Sequence, residues 1–125
     1  MGYRSSVTFA TTEESYDRMI RECDKLNEER GIEYPILGSN QEPETLYREE
    51  GCIVFGWPDE KWYNTYGSVK VVEDAYEAIK ELDFPAERLI IGEGWSDVEY
   101  ENCYGDPRLK VHIEPRCEVT VVIGA

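Results

Sequence analysis

Four cysteines and a single histidine are the residues most able to do covalent chemistry: Cys23, Cys52, Cys103, Cys117 and His112. A Cys–His pair formed by His112 with Cys103 or Cys117 would make a nucleophile and its base, since such pairs assemble in space rather than in sequence. Neither cysteine lies in a glycine-framed nucleophile motif, and Val111 and Ile113 on either side of His112 make the histidine the outward residue of a strand. Cys103, His112 and Cys117 also lack the close ligand pair that sets two corners of a tetrahedral zinc site. The cysteines therefore read as reduced thiols in a cytosolic protein, consistent with an N-terminus that runs into a strand-like segment without a secretory leader. Met1-Gly2 with Ser6 matches a myristoylation pattern only superficially, because the supporting basic patch is missing.

A second chemistry belongs to carboxylates. Asp97, Glu99 and Glu101 alternate, so an extended backbone points all three one way, where they can bind a hard cation or a small ligand. The bland reading of the same row is a charged strand edge that blocks aggregation. Gly92-Glu93-Gly94 lacks the third glycine and the helix of a dinucleotide fingerprint, and Glu93 would repel a phosphate. No cofactor is expected. Aromatic residues with acidic neighbours are the remaining candidates: Trp57, Tyr63, Tyr66 and Tyr100, with Asp97, Glu99 and Glu101, form a candidate partner-binding set, because Tyr and Trp give large contact area at low entropy cost. Trp62 and Trp95 are expected in the core.

These residues sit in a chain of 125 residues carrying 27 acidic against 13 basic side chains, a formal charge of −14. Such a charge repels nucleic-acid backbones and anionic membranes and attracts basic protein surfaces in a salt-sensitive way. The excess is local. Glu13 to Glu50 holds 12 acidic against 5 basic residues, Ser68 to Gly105 holds 10 against 3, and the chain from Asp106 onward balances at 3 and 3.

The elements that must position all this follow from periodicity. Tyr3–Ala10 alternates as a strand. Thr11 and Glu14 have capping-box spacing before a helix with Tyr16, Met19, Ile20, Cys23 and Leu26 on one face and Gly31 as C-cap. Glu33–Glu50 reads mainly as loop: Tyr34-Pro35-Ile36-Leu37 packs on the core, Gly38-Ser39-Asn40 turns, and Pro43 opens a short helical turn to Glu50. Gly51–Trp57 is a buried strand, Pro58-Asp59-Glu60 a turn, and Lys61-Trp62-Tyr63 a hairpin arm. A second helix presents Val69, Val72, Tyr76, Ile79 and Leu82 and ends at Asp83-Phe84-Pro85. Arg88–Gly92, Leu109–Ile113 and Val119–Ile123 are further strands, with a turn or bulge at Pro115-Arg116. The order β-α-β(β)-α-β-β specifies a single α+β domain: a two-layer sandwich with a mostly antiparallel sheet of four to five strands and two helices on one face, a ferredoxin-like variant.

Three segments carry a resemblance. Met1-Gly2-Tyr3-Arg4-Ser5-Ser6-Val7, Lys61-Trp62-Tyr63-Asn64-Thr65-Tyr66 with Val69, and Ile91-Gly92-Glu93 followed by Asp97-Val98-Glu99-Tyr100-Glu101 resemble small tailed-phage and prophage proteins of unassigned function that start MGYRS and carry a KWYxxY motif. Ser6 departs from the acidic residue usual at that position. The resemblance implies an accessory protein acting in the host cytoplasm and supplies no catalytic residues. Together with the charge, it leads to the expectation of a non-enzymatic module that binds a basic surface of a host protein, as an anti-defence inhibitor or nucleic-acid mimic. A metal- or small-ligand-binding domain and a virion-associated structural protein are the alternatives.

Overall fold

Strand β1 (Ser5–Thr12) holds the centre of the fold, paired antiparallel with β3 (Cys52–Glu60) on one side and with β4 (Ala86–Ile91) on the other. The computed structural model describes residues 4–92, 98–103, 105–114 and 120–123. Outward from this pair, β2 (Thr45–Glu49) joins β3 and β5 (Val98–Glu101) joins β4, giving an antiparallel sheet in the order β2-β3-β1-β4-β5. With α1 (Glu13–Glu29) between β1 and β2 and α2 (Gly67–Glu81) between β3 and β4, the first four strands trace the split βαββαβ path of ferredoxin-like domains.

Alternation along the strands makes both sheet faces apolar. Val7, Phe9, Ile53, Phe55, Trp57 and Ala86 turn to one face, where the helices bring Met19, Cys23, Val72, Ala75, Tyr76 and Ile79. Ala10, Cys52, Val54 and Leu89 turn to the other. Two helices cannot cover both. The last two strands, β6 (Val111–Glu114) and β7 (Thr120–Ile123), therefore leave the main sheet, pair with each other, and bring Leu109, Val111 and Ile113 over the second face. The sequence places two helices on one face; the cover on the opposite face is what it did not disclose.

Other differences are local and have local causes. Thr11 stays in β1, where its hydroxyl donates to the Ile53 carbonyl at 3.3 Å, so the cap moves one residue on. Thr12 Oγ1 accepts from the Ser15 amide at 3.0 Å and starts α1. At the other end Gly31 adopts φ +60, and Gly31 N–H and Ile32 N–H donate to the Glu28 and Asn27 carbonyls, the expected glycine stop. Asp83, at φ +64, closes α2 in the same way, which leaves Leu82 at the cap and 49% exposed instead of on the buried stripe.

The 33–50 stretch contains a strand instead of a helical turn. Leu37 is buried, Asn27 Nδ2 donates to its carbonyl, and Gly38 and Gln41 exchange backbone hydrogen bonds around the expected turn, whereas Tyr34 stays exposed. Beyond Pro43 the chain pairs with β3 through its backbone, in continuous register from Thr45↔Gly56 to Glu49↔Cys52. Its side chains are exposed on both faces, so the hydrophobic alternation that marks a strand is absent. Glu50 and Gly51, at φ +50 and +73, form the two-residue hairpin turn.

Strand β3 runs through Pro58-Asp59-Glu60, beside an irregularity in β1 between Ser5 and Val7, and Lys61-Trp62-Tyr63 forms loop in place of a hairpin arm. Pro115-Arg116 lies outside the described residues. Gly56 is the tightest point of the sheet: a Cβ there would sit 1.9 Å from the Val7 carbonyl oxygen. Because that neighbour is backbone of the central strand, Gly56→Ala has to push β3 from β1, and we expect a loss of about 2–3 kcal/mol in urea unfolding. A variant as stable as the wild type would contradict this packing.

Candidate functional site

Two polar clusters flank β4, one on each face of the sheet, and both arise from its alternation. On the hairpin side Glu87 shares its face with Leu89 and Ile91 and is fully buried. All the donors it receives come from the C-terminal part of the chain. Cys103 N–H reaches Oε2 at 2.9 Å, Ile113 N–H reaches Oε1 at 3.0 Å, and His112 Nδ1 lies 2.5 Å from Oε2. Tyr100 adds a hydrogen bond from its hydroxyl to the Ile113 carbonyl at 2.5 Å. Glu87 thus ties the segment leading into β6 to the centre of the sheet.

His112 is therefore 6% exposed, not the outward residue that its neighbours suggest, because the hairpin lies flat over a second core and the carboxylate draws the imidazole in. Cys103 sits close by, but its thiol donates to the Ala86 carbonyl at 2.9 Å, and burial pushes its pKa up. Nucleophilic cysteines need the opposite shift, towards thiolate. Cys117 lies outside the described residues. Cys23 is buried against the helices, with its pKa pushed up to about 12 by desolvation.

On the helix side Arg88, opposite Phe9 across the sheet, reaches over the Tyr76 ring, with its guanidinium carbon 5.2 Å from the centroid. It is paired with Glu73 of α2 and, at 2.8 Å, with Glu101 of β5; Glu99 stands 3.7 Å away. Glu73 also accepts from Trp62 Nε1 at 2.8 Å, and Lys80 closes the chain of charges onto Glu101 at 2.5 Å. Desolvation raises the Glu73 pKa despite the opposing pull of Arg88 and the Trp62 donor.

The candidate partner-binding residues divide between structure and surface. Trp57 is 4% exposed and packs on Trp62 at 5.1 Å between centroids, so its ring has no area to offer a partner. Tyr100 supports the hairpin, and Glu101 is held by Arg88 and Lys80. Glu99 and Glu101 do share a face, as alternation requires, but that face serves Arg88. Asp97 lies outside the described residues, as do Glu93, Gly94 and Trp95. Tyr63 and Tyr66 pack edge to face at 5.3 Å on the loop ahead of α2, with Tyr66 exposed. Among the described residues no three His, Cys, Asp or Glu side chains converge on a metal position. Glu87, the residue on which one cluster depends, was not singled out from sequence; its signal is a lone carboxylate in period-two register with Leu89 and Ile91.

Comparison with family models, with curated proteins and with solved structures finds no match for this chain.

Two outcomes follow from the clusters. Glu87→Ala strands three donors, two of them buried, and should cost about 3 kcal/mol or more in denaturant unfolding; a loss below about 1 kcal/mol would mean that Glu87 does not hold the hairpin. Glu73 gives a pH signature. Its carboxyl titrates higher in the folded than in the unfolded chain, so the native state binds the extra proton. The stability of the wild type relative to Glu73→Gln should therefore be greatest below the ordinary glutamate value of 4.5 and fall as pH rises above it. A relative stability that rises over that range contradicts the assignment.

Proposed function

We propose that this chain is a non-enzymatic, acidic accessory protein that docks on a basic surface of a host protein, as an anti-defence inhibitor or nucleic-acid mimic. The observation that carries this reading is where the uncompensated charge stands. Glu14, Asp17, Glu28, Glu29, Glu33, Glu42, Glu44, Glu50, Glu77 and Glu81 are exposed, and none enters an ion pair among the described residues. They belong to the two helices and to the segment that joins α1 to β3. Much of the positive charge is already spent: Arg4 on Asp59, Arg30 and Lys70 on Asp74, Arg48 on Glu13, and Arg108 on Asp83 and Asp106.

Part of this charge is placed against local stability. The last turn of α1 has no basic residue, Arg30 at the C-cap is paired with Asp74, and Glu28 and Glu29 stand where the helix dipole favours cations. Carboxylates kept at a cost to the helix support a role outside folding. Such a surface speeds encounter with a basic partner and does so less as salt rises. The reading of Asp97, Glu99 and Glu101 as a cation site has no comparable support, since two of the three face Arg88.

The test separates binding from folding. A basic protein retained from host lysate at low salt is purified, and its association is measured with wild type and with the Glu28→Lys/Glu29→Lys/Glu33→Lys variant. The variant should melt at or above the wild-type temperature, because lysines complement the helix end, yet associate about tenfold more slowly. Equal association rates, or no basic protein retained, would refute the proposal.

A further inference from the structure

We infer that the free edge of β2 is a docking site for an extended partner segment with Lys or Arg at alternate positions, which adds as a sixth strand beside the α1–β2 groove. This deepens, and rests on, the proposed docking to a basic surface. β2 is the terminal strand of the sheet, and among the described residues no strand pairs with its outer edge. Natural edge strands are usually blunted by lysines, proline, a bulge or a covering loop. β2 is five residues long and carries the charges of Arg48, which is answered by Glu13, and Glu49, but it has no lysine and no proline within Thr45–Glu49, and its register with β3 is unbroken. It also exposes two large apolar side chains, Leu46 at 37% and Tyr47 at 40%. In a hairpin closed by a two-residue turn, the backbone groups of alternate residues bond inward, so those of Leu46 and Arg48 point to the open edge.

The chemistry of the occupant comes from the groove beside that edge. An open groove of about 620 Å³ runs between α1 and β2. Tyr16, Ile20 and Leu46 supply its apolar lining, and Asp17, Glu42 and Glu44 its carboxylates. All three carboxylates are exposed and in no ion pair among the described residues, whereas Arg48 in the same groove is answered by Glu13 at 3.4 Å. Arg21 is the other cation present. A lysine or arginine on an added strand lays its aliphatic stem along the apolar lining and its charge at the carboxylates. Leu46 lies opposite Phe55 and Tyr47 opposite Val54, so they stand on opposite faces of the sheet. Alternate residues of the partner thus enter the groove, and those between them pack beside Tyr47. A second copy of this chain is a poorer occupant, because each carries −14.

A blocked seven-residue peptide alternating Lys and Val is titrated into the nitrogen-15-labelled protein, in parallel with a Glu-Val peptide and with a Lys-Val peptide N-methylated at alternate amides. The expected result is binding of the Lys-Val peptide with shifts at the Leu46 and Arg48 amides, and affinity at least about tenfold weaker for both controls. Arg48→Pro removes an outward N–H without touching the β3 ladder and should weaken binding by a similar factor, although it removes a positive charge. If that variant fails to fold, the N-methylated peptide makes the same test on the wild-type protein. Equal binding of plain and N-methylated peptides overturns the edge site and leaves the acidic-surface reading standing. A dimer in sedimentation that Arg48→Pro abolishes also overturns it, in favour of self-pairing. No binding of the Lys-Val peptide overturns it as well; whether the chain binds basic proteins at all is then decided by the lysate partner and the triple-lysine variant.

Discussion

The sheet has two apolar faces and, among the described residues, two helices that cover one of them, and most of the architecture answers that constraint. β1, with neighbours on both sides, cannot turn either face to water without exposing Phe9 or Ala10. The helices close the first face. The second depends on a four-residue hairpin arm and the loop before it, elements too short to be held by apolar area alone. Glu87 supplies the missing specificity. A buried carboxylate is costly to desolvate unless it is fully hydrogen-bonded, and here its partners are two backbone amides and an imidazole from one segment. That makes the position of the segment discrete: any other placement leaves the charge unanswered.

The same economy shapes the helix side. Arg88 and Glu73 lie on faces that otherwise carry apolar residues: Glu73 is answered by Arg88 and Trp62, and the Arg88 terminal nitrogens by Glu73 and Glu101, while its buried Nε has no hydrogen-bond partner among the described residues. Aromatic rings fill the remaining space: Phe9 stacks on Phe55 at 5.2 Å and meets Tyr76 at 5.3 Å. The ten exposed carboxylates that enter no ion pair among the described residues stand outside these networks, on the helices and on the segment joining α1 to β3. The division between paired and unpaired carboxylates gives the molecule its outward character, and the docking proposed above is assigned to the helical layer and the β2 edge.

Much of the fold was legible in the sequence because it was written in periodicity. Val7/Phe9, the Met19–Cys23 stripe and the Val72–Tyr76–Ile79 stripe each identify their element and its buried side. β2 was not legible because a free edge strand pairs through backbone and needs no apolar alternation. The cap at Thr12 was missed by one residue because Thr11, equally suited by type, was claimed by the sheet. The site was less legible than the fold. Trp57, Tyr100 and Glu101 have the residue types of a binding surface, but which of them reach solvent depends on tertiary neighbours, Trp62, Ile113 and Arg88, that lie on other elements or loops. Glu87 shows the converse: the residue on which the second face depends is one acidic residue among 27.

If the hairpin opened readily, the apolar face beneath it would compete with the acidic surfaces to which the docking is proposed. Native-state hydrogen exchange at the Cys103 and Ile113 amides, the two backbone donors to Glu87, addresses this most directly. The account predicts that both exchange as slowly as the central amides of β1, only through global unfolding. Exchange of these two amides orders of magnitude faster than β1 would contradict it, and would make the covered face of the sheet the molecule's working surface.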